Sequence, residues 1–145
     1  MDTLPLHTPL YSDRVRFVCI SDTHAQAEKI RTDLPPGDVL IHAGDFTNTG
    51  TPNEVMQFNA FLGKLPYRHK IVIAGNHELS FDPHYMTLEE KRLELDCPIR
   101  INPIAVKDFL EKKGVSSMKE LLTNCVYLED SEVTICGLRI YGSPW

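Results

Sequence analysis

Three times in its first half, this chain runs a short apolar segment straight into a cluster of polar, metal-capable residues. Phe17-Val18-Cys19-Ile20 leads into Ser21-Asp22-Thr23-His24, and Val39-Leu40-Ile41-His42-Ala43 leads into Gly44-Asp45. Ile71-Val72-Ile73-Ala74 leads into Gly75-Asn76-His77-Glu78. Brief β-branched runs of this kind read as buried strands of a parallel sheet, whose C-terminal ends share one edge. Open α/β sheets bind their ligands at that edge. The pattern therefore predicts an α/β fold in which Asp22, His24, Asp45, Asn76 and His77 converge.

The segments between the strands fit this scheme. After the second strand, Thr51-Pro52-Asn53-Glu54 carries the signature of a helix start: a capping hydroxyl, proline at the first helical position and Glu54 to complete a capping box. Val55, Phe58 and Leu62 follow at helical spacing, one apolar stripe for the sheet, and Gly63 is the expected stop. Strands are expected over about residues 15–20, 39–43 and 70–74. Residues 82–103 are charged and punctuated by Pro83, Pro98 and Pro103, which predicts a long excursion with at most one helix. Two short helical patterns follow near residues 104–113 and 117–122. The end reads as strands at 126–128, 133–136 and 138–141, with turns at 129–131 and Gly137. Residues 1–14 read as an N-terminal tail, and 15–145 as a single domain that stops soon after a hydrophobic strand, cut rather than completed.

Composition narrows the class of function. A chain of 145 residues with 42% hydrophobic and 24% charged residues suits one globular domain with a true core. Its net charge of −5 argues against a partner that is a nucleic-acid polymer, which calls for a basic stripe. No stretch approaches the roughly 18 apolar residues of a membrane span, and residues 1–14 hold no signal-peptide core. Cys19, Cys97, Cys125 and Cys136 are scattered, without a C-x-x-C pair. With Cys19 and Cys136 inside apolar runs, they read as buried reduced thiols, which points to a cytoplasmic location.

Each polar cluster is weak evidence alone, since Asp22 or Asp45 could merely cap a turn. In order, each after its own strand, they point to a metal centre. Carboxylate, amide oxygen and imidazole suit hard to borderline divalent ions such as Mn, Fe, Zn or Mg. One carboxylate can bridge two ions, and paired ions activate water and clamp phosphoryl oxygens. Asp45, from the middle strand, is the natural bridge.

These blocks resemble the first three motifs of the calcineurin-like metallophosphoesterase family, with a match running over about residues 15–80. The wording His42-Ala43-Gly44-Asp45-Phe46-Thr47, Leu121-Leu122-Thr123-Asn124-Cys125 and Ile140-Tyr141-Gly142-Ser143-Pro144-Trp145 is similar to the animal metallophosphoesterase-domain proteins in particular. The resemblance implies the N-terminal part of a four-layer α/β/β/α sandwich that hydrolyses small phosphoesters with two divalent metal ions. By position, Asp22 and His24 would bind the first metal, Asp45 would bridge, and Asn76 would bind the second. His77 would act at the leaving group. Cyclic nucleotides are a candidate substrate.

Two departures qualify the match. Asn48 stands where the family's second block often carries another Asp, a position that is not usually a ligand. The family also supplies later histidines, and no histidine follows His84 here. His7, His69 and His84 fall at tail, surface or loop positions, while His42 reads as a hydrogen-bonded core residue behind the site. The alternative implied by the missing histidines is a non-catalytic binding or regulatory fragment. A Rossmann binder lacks its G-x-G-x-x-G, and a serine hydrolase lacks its G-x-S-x-G.

Overall fold

The computed structural model describes residues 12–144. The expected tail lies almost wholly outside them, as do His7 and Trp145. Strands β1 (Phe17–Ile20), β2 (Val39–His42) and β3 (His69–Val72) line up in sequence order and are joined at the far side by β4 (Val126–Tyr127). All pairings are parallel, with Ile20 opposite His42 and His42 opposite Val72. The C-terminal ends of β1, β2 and β3 are thus level. Pairing outlasts the strands, since the N–H of Ala43 donates to Ile20 O and that of Ile73 to His42 O.

Alternation along each strand assigns the two faces. Val18, Leu40 and Val72 point to one side and enter the main core with Val55, Phe58, Phe61 and Leu62 of helix α1 (Pro52–Lys64). Helices α2 (Pro83–Glu94) and α3 (Pro103–Lys113) and a short 3₁₀ helix (Met118–Leu121) extend that layer. Val39 and Ile71 point to the other side, where a hairpin of β5 (Ser131–Ile135) and β6 (Leu138–Gly142) covers them with Val133, Ile135 and Ile140. The hairpin lies tight on the sheet: a Cβ on Gly142 would stand 2.7 Å from Ile73. Helices, parallel sheet and antiparallel hairpin are successive layers of a mixed α/β fold.

Several local expectations hold for identifiable reasons. Thr51 accepts from the N–H of Glu54 while the Glu54 carboxylate accepts from that of Thr51, the complete capping box. Excursion 82–103 contains one helix, α2, whose N-cap Asp82 accepts from the N–H of His84. Behind α2, Glu89 is fully buried and accepts from Arg92 and from the N–H of Arg100, stapling the following segment to the helix.

Two expectations are corrected. Gly63 does not stop α1, which runs through it to Lys64 and is closed by Leu65 donating to Leu62 O. The glycine instead admits a neighbour, because a Cβ there would stand 2.9 Å from the side-chain amide of Asn124. Asn124 needs that proximity: it donates to Asn59 O and to Asn59 Oδ1, tying α1 to the segment before β4. Cys19, Cys97 and Cys136 are exposed rather than buried, and Cys125 is half-buried. Cys19 lies on edge strand β1, beyond the side chains the hairpin covers, and Cys136 sits at the hairpin's own turn with φ of +52°. All four cysteines are free.

Candidate metal centre

At the shared edge of β1, β2 and β3 the backbone leaves the extended form abruptly. Asp22, His24, Ala25 and Asp45 have φ of +54°, +40°, +59° and +56°, a left-handed conformation that non-glycine residues seldom adopt. The surrounding hydrogen bonds hold them there. Asp22 donates to Gly44 O, His24 to Asp45 O and Ala25 to Phe46 O, so the loops after β1 and β2 stay zipped beyond the sheet. The loops after β2 and β3 meet through their glycines. A Cβ on Gly44 would lie 2.8 Å from Gly75 N, and one on Gly75 would lie 2.7 Å from Asp45 N. Only a pair lacking side chains permits this approach.

Three predicted site residues form a compact group: one ligand atom from each of His24, Asp45 and His77 lies within 4.8 Å of the others. The two imidazoles meet edge-on with centroids 4.5 Å apart. Each is anchored through Nδ1, in His24 to Thr47 O at 3.3 Å and in His77 to Asn48 O at 2.7 Å. A carbonyl only accepts, so Nδ1 carries the proton and a neutral ring keeps its lone pair on Nε2. That is the usual preparation of a metal-binding histidine. Asp45 is oriented as well, with its Oδ1 accepting from the N–H of His77 at 3.0 Å.

Asp22 lies at the rim. Its carboxylate is about two-thirds exposed and stands 4.0 Å from His24 Nε2, too far for a hydrogen bond and close enough to share a cation. Asn76, on the same loop as His77, is also exposed. Asn48 reaches the centre through its backbone, where its carbonyl accepts from His77 and its N–H donates to Glu54. His69 opens β3, half-buried, and His84 is exposed in the first turn of α2.

His42 matches its expected core role. It is fully buried on β2, edge-on to both Phe46 and Phe58, and its Nε2 pairs with Thr23 Oγ1 at 3.0 Å. Burial pushes its pKa down to about 4, against the opposing pull of Asp22 and Asp45, so the ring is neutral near pH 7. Its Nδ1 has no partner. The cheaper tautomer puts the proton on Nε2, donated to Thr23, and leaves a bare lone pair on Nδ1.

Sequence reasoning quoted Glu78 as part of its motif and gave it no role. It is fully buried beneath the loops. Its Oε2 accepts from the N–H groups of Asp45 and Gly75, and its Oε1 from the N–H and hydroxyl of Thr47. Burial pushes its pKa up, while these four donors favour the carboxylate form. The available signal was its position, a carboxylate directly after His77 where a surface loop would leave it in water. A cavity of about 450 Å³ between α2 and α3, lined by Met86, Val106 and Met118, includes none of these residues.

Comparison with known proteins agrees with this architecture. The model of the calcineurin-like phosphoesterase family matches residues 15–136. The chain is 50% identical to metallophosphoesterase domain-containing protein 1 of Homo sapiens over its full 145 residues, which make up 42% of that relative. The Mus musculus counterpart gives the same figures. A Caenorhabditis elegans protein of the UPF0046 group is 47% identical over 140 residues, 97% of this chain and 44% of that one. The chain thus spans less than half the length of these curated relatives. With a family model covering most of its residues and its motifs at the edge of a parallel sheet, the chain belongs to the calcineurin-like phosphoesterase family.

Proposed function

We propose that this chain supplies the N-terminal share of a dinuclear, metal-dependent phosphoester hydrolase, acting on small phosphodiesters such as cyclic nucleotides. The observation that carries the reading is the grouping of His24, Asp45 and His77 at the level ends of three parallel strands. The donor set fits divalent cations: the His24 imidazole with Nε2 free, one oriented carboxylate, and Asp22 and Asn76 at the rim. In this reading Asp22 and His24 hold one ion, Asn76 a second, and Asp45 lies between them. Bound ions of the Mn, Fe, Zn or Mg kind would lower the pKa of water and offset phosphoryl charge. His77, its Nδ1 anchored by Asn48 O, serves the leaving group as proton donor or charge stabiliser when the ring carries a second proton on Nε2. Such proton transfer is worth roughly 10²–10⁴-fold in rate.

The net charge of −5 favours a small substrate that ions can neutralise over a nucleic-acid polymer. Among the described residues no helix is long and apolar enough to cross a membrane. Four free cysteines support a cytoplasmic setting. The absence of histidine after His84 favours a second reading, a fragment that binds metal or phosphoester weakly without turnover.

Hydrolysis of bis-p-nitrophenyl phosphate with excess Mn²⁺ tests the proposal. The comparison is between this chain alone and this chain joined to the remaining segment of the human relative. We expect weak Mn²⁺ binding and negligible turnover from the short form. Clear turnover is expected from the long form, together with loss of Mn²⁺ affinity and activity in Asp45→Asn. His77→Ala should keep its metal and lose turnover. Full activity in Asp45→Asn would refute the role given to that carboxylate.

A further inference from the structure

We propose that Glu78 is the positioning residue of this centre, its single buried carboxylate holding His24, Asp45 and His77 in one arrangement. The inference rests on reading these three residues as a metal centre, and it concerns a residue that ligates nothing itself. Glu78 reaches each of them by a short chain of hydrogen bonds. It accepts from the N–H of Asp45 at 2.9 Å, pinning a residue that stands in a left-handed conformation at the end of β2. It accepts from Thr47 twice, at 2.8 Å from the N–H and 2.7 Å from the hydroxyl, and the carbonyl of that same Thr47 receives His24 Nδ1. The next carbonyl, Asn48 O, receives His77 Nδ1. Finally Glu78 accepts from Gly75 at 2.8 Å, closing the tight turn that presents Asn76 and His77.

The chemistry of this hub is selective. Four donors converge on two oxygens from two loops, and three of them are backbone N–H groups that can only donate, at least one to each oxygen, so only a group that accepts on both arms satisfies the site. Glutamine has nearly the same shape but turns an amide NH₂ toward at least one backbone N–H, whichever way it is flipped. Aspartate keeps the charge and is too short to reach both loops. A buried donor left facing another donor loses its hydrogen bond and repels, so the loops should part. Positioning has to be told apart from simple stability, because the core reaches these loops at Phe46, between Asp45 and Thr47.

The test compares wild-type chain, Glu78→Gln and a control, Glu89→Gln. Glu89 is also a fully buried carboxylate with a backbone donor, and it lies on α2 away from the centre. Long-range ¹H–¹⁵N spectra of the imidazoles report the tautomers of His24 and His77 in metal-free protein. Calorimetry reports Mn²⁺ affinity. In wild type both rings should carry the proton on Nδ1. Glu78→Gln should give mixed tautomers at both and a loss of Mn²⁺ affinity of roughly 10–100-fold, the usual effect of residues that orient ligands. Glu89→Gln should be less stable, with both tautomers unchanged. Thr47→Val, which deletes one of the four donors, should shift His24 in the same direction by less, and decides the matter if Glu78→Gln does not fold. Unchanged tautomers in Glu78→Gln, or identical changes in Glu89→Gln, would overturn the proposal. If wild type shows fixed tautomers yet takes up no Mn²⁺, the metal reading fails while the positioning role of Glu78 stands or falls on the spectra.

Discussion

His42 shows how one buried side chain can couple acidity to the integrity of the site. Folded, its pKa is near 4, whereas in the unfolded chain a histidine titrates near 6.5. Above about pH 6.5 both states are neutral there and this residue contributes no pH dependence. Between about 6.5 and 4 the unfolded chain takes a proton that the folded chain refuses, so stability is lost as pH falls through that window. Across it the loss is on the order of 3 kcal/mol. We therefore predict that thermal unfolding at pH 7 and pH 5 will show a marked drop for wild type and a smaller one for His42→Phe. Parallel drops in the two proteins would show that His42 is not the group responsible. The ring also donates to Thr23, between Asp22 and His24, so the unfolding that acid promotes takes with it the loop that carries both.

Among the elements, α1 is the most self-sufficient. Its capping box, its proline at the first turn and its apolar face of Val55, Phe58, Phe61 and Leu62 all specify the same thirteen residues. Its start also touches the centre, because Glu54 accepts from the N–H of Asn48, whose carbonyl anchors His77. Thr51→Ala removes the capping hydroxyl and should cost about 1 kcal/mol in denaturant unfolding. The Glu54–Asn48 bond does not need that hydroxyl, so Mn²⁺ affinity should change less than threefold. A larger loss of affinity than of stability would mean that the cap also positions His77. The hairpin is the opposite kind of element. Its short alternation names two strands, yet only the parallel sheet gives Val133, Ile135 and Ile140 something to cover. Among described residues both edges of this two-stranded sheet remain unpaired, and Leu138 and Tyr141 are exposed, a combination that favours association with other strands.

At the scale of the whole molecule, core and site meet at Phe46. It directly follows Asp45, is completely buried, stacks on Phe58 at 4.2 Å and meets His42 and Phe81 edge-on. Sheet, α1 and the segment leading to α2 are thereby joined at one ring. Phe46→Ala should cost roughly 3–5 kcal/mol, as large cavities in aromatic cores do. It should weaken Mn²⁺ binding in the fraction that stays folded, since the Phe46 carbonyl also receives the N–H of Ala25 beside His24. Denaturation curves and calorimetry on the same samples check both effects. A stable variant would show that the aromatic cluster is not the joint of the fold.

The linear chain determined what depends on near neighbours and on the alternation of side chains. Three β-branched runs, a capped helix with one apolar stripe and a parallel sheet follow from local stereochemistry and burial, and so does the gathering of polar blocks at one edge. His42 was legible for the same reason, as a polar residue in the middle of an apolar strand. Contacts between distant segments decided the rest. Gly63 resembles a helix stop, and it is a helical residue because Asn124, 61 positions further along the chain, needs the space. Cys19 resembles a core residue, and it is exposed because β1 became an edge strand. Glu78 resembles a loop carboxylate, and it is buried because two loops bring four donors that only an acceptor can satisfy. Periodicity records which face a residue prefers. Which partner will be waiting there is settled only when the backbone closes.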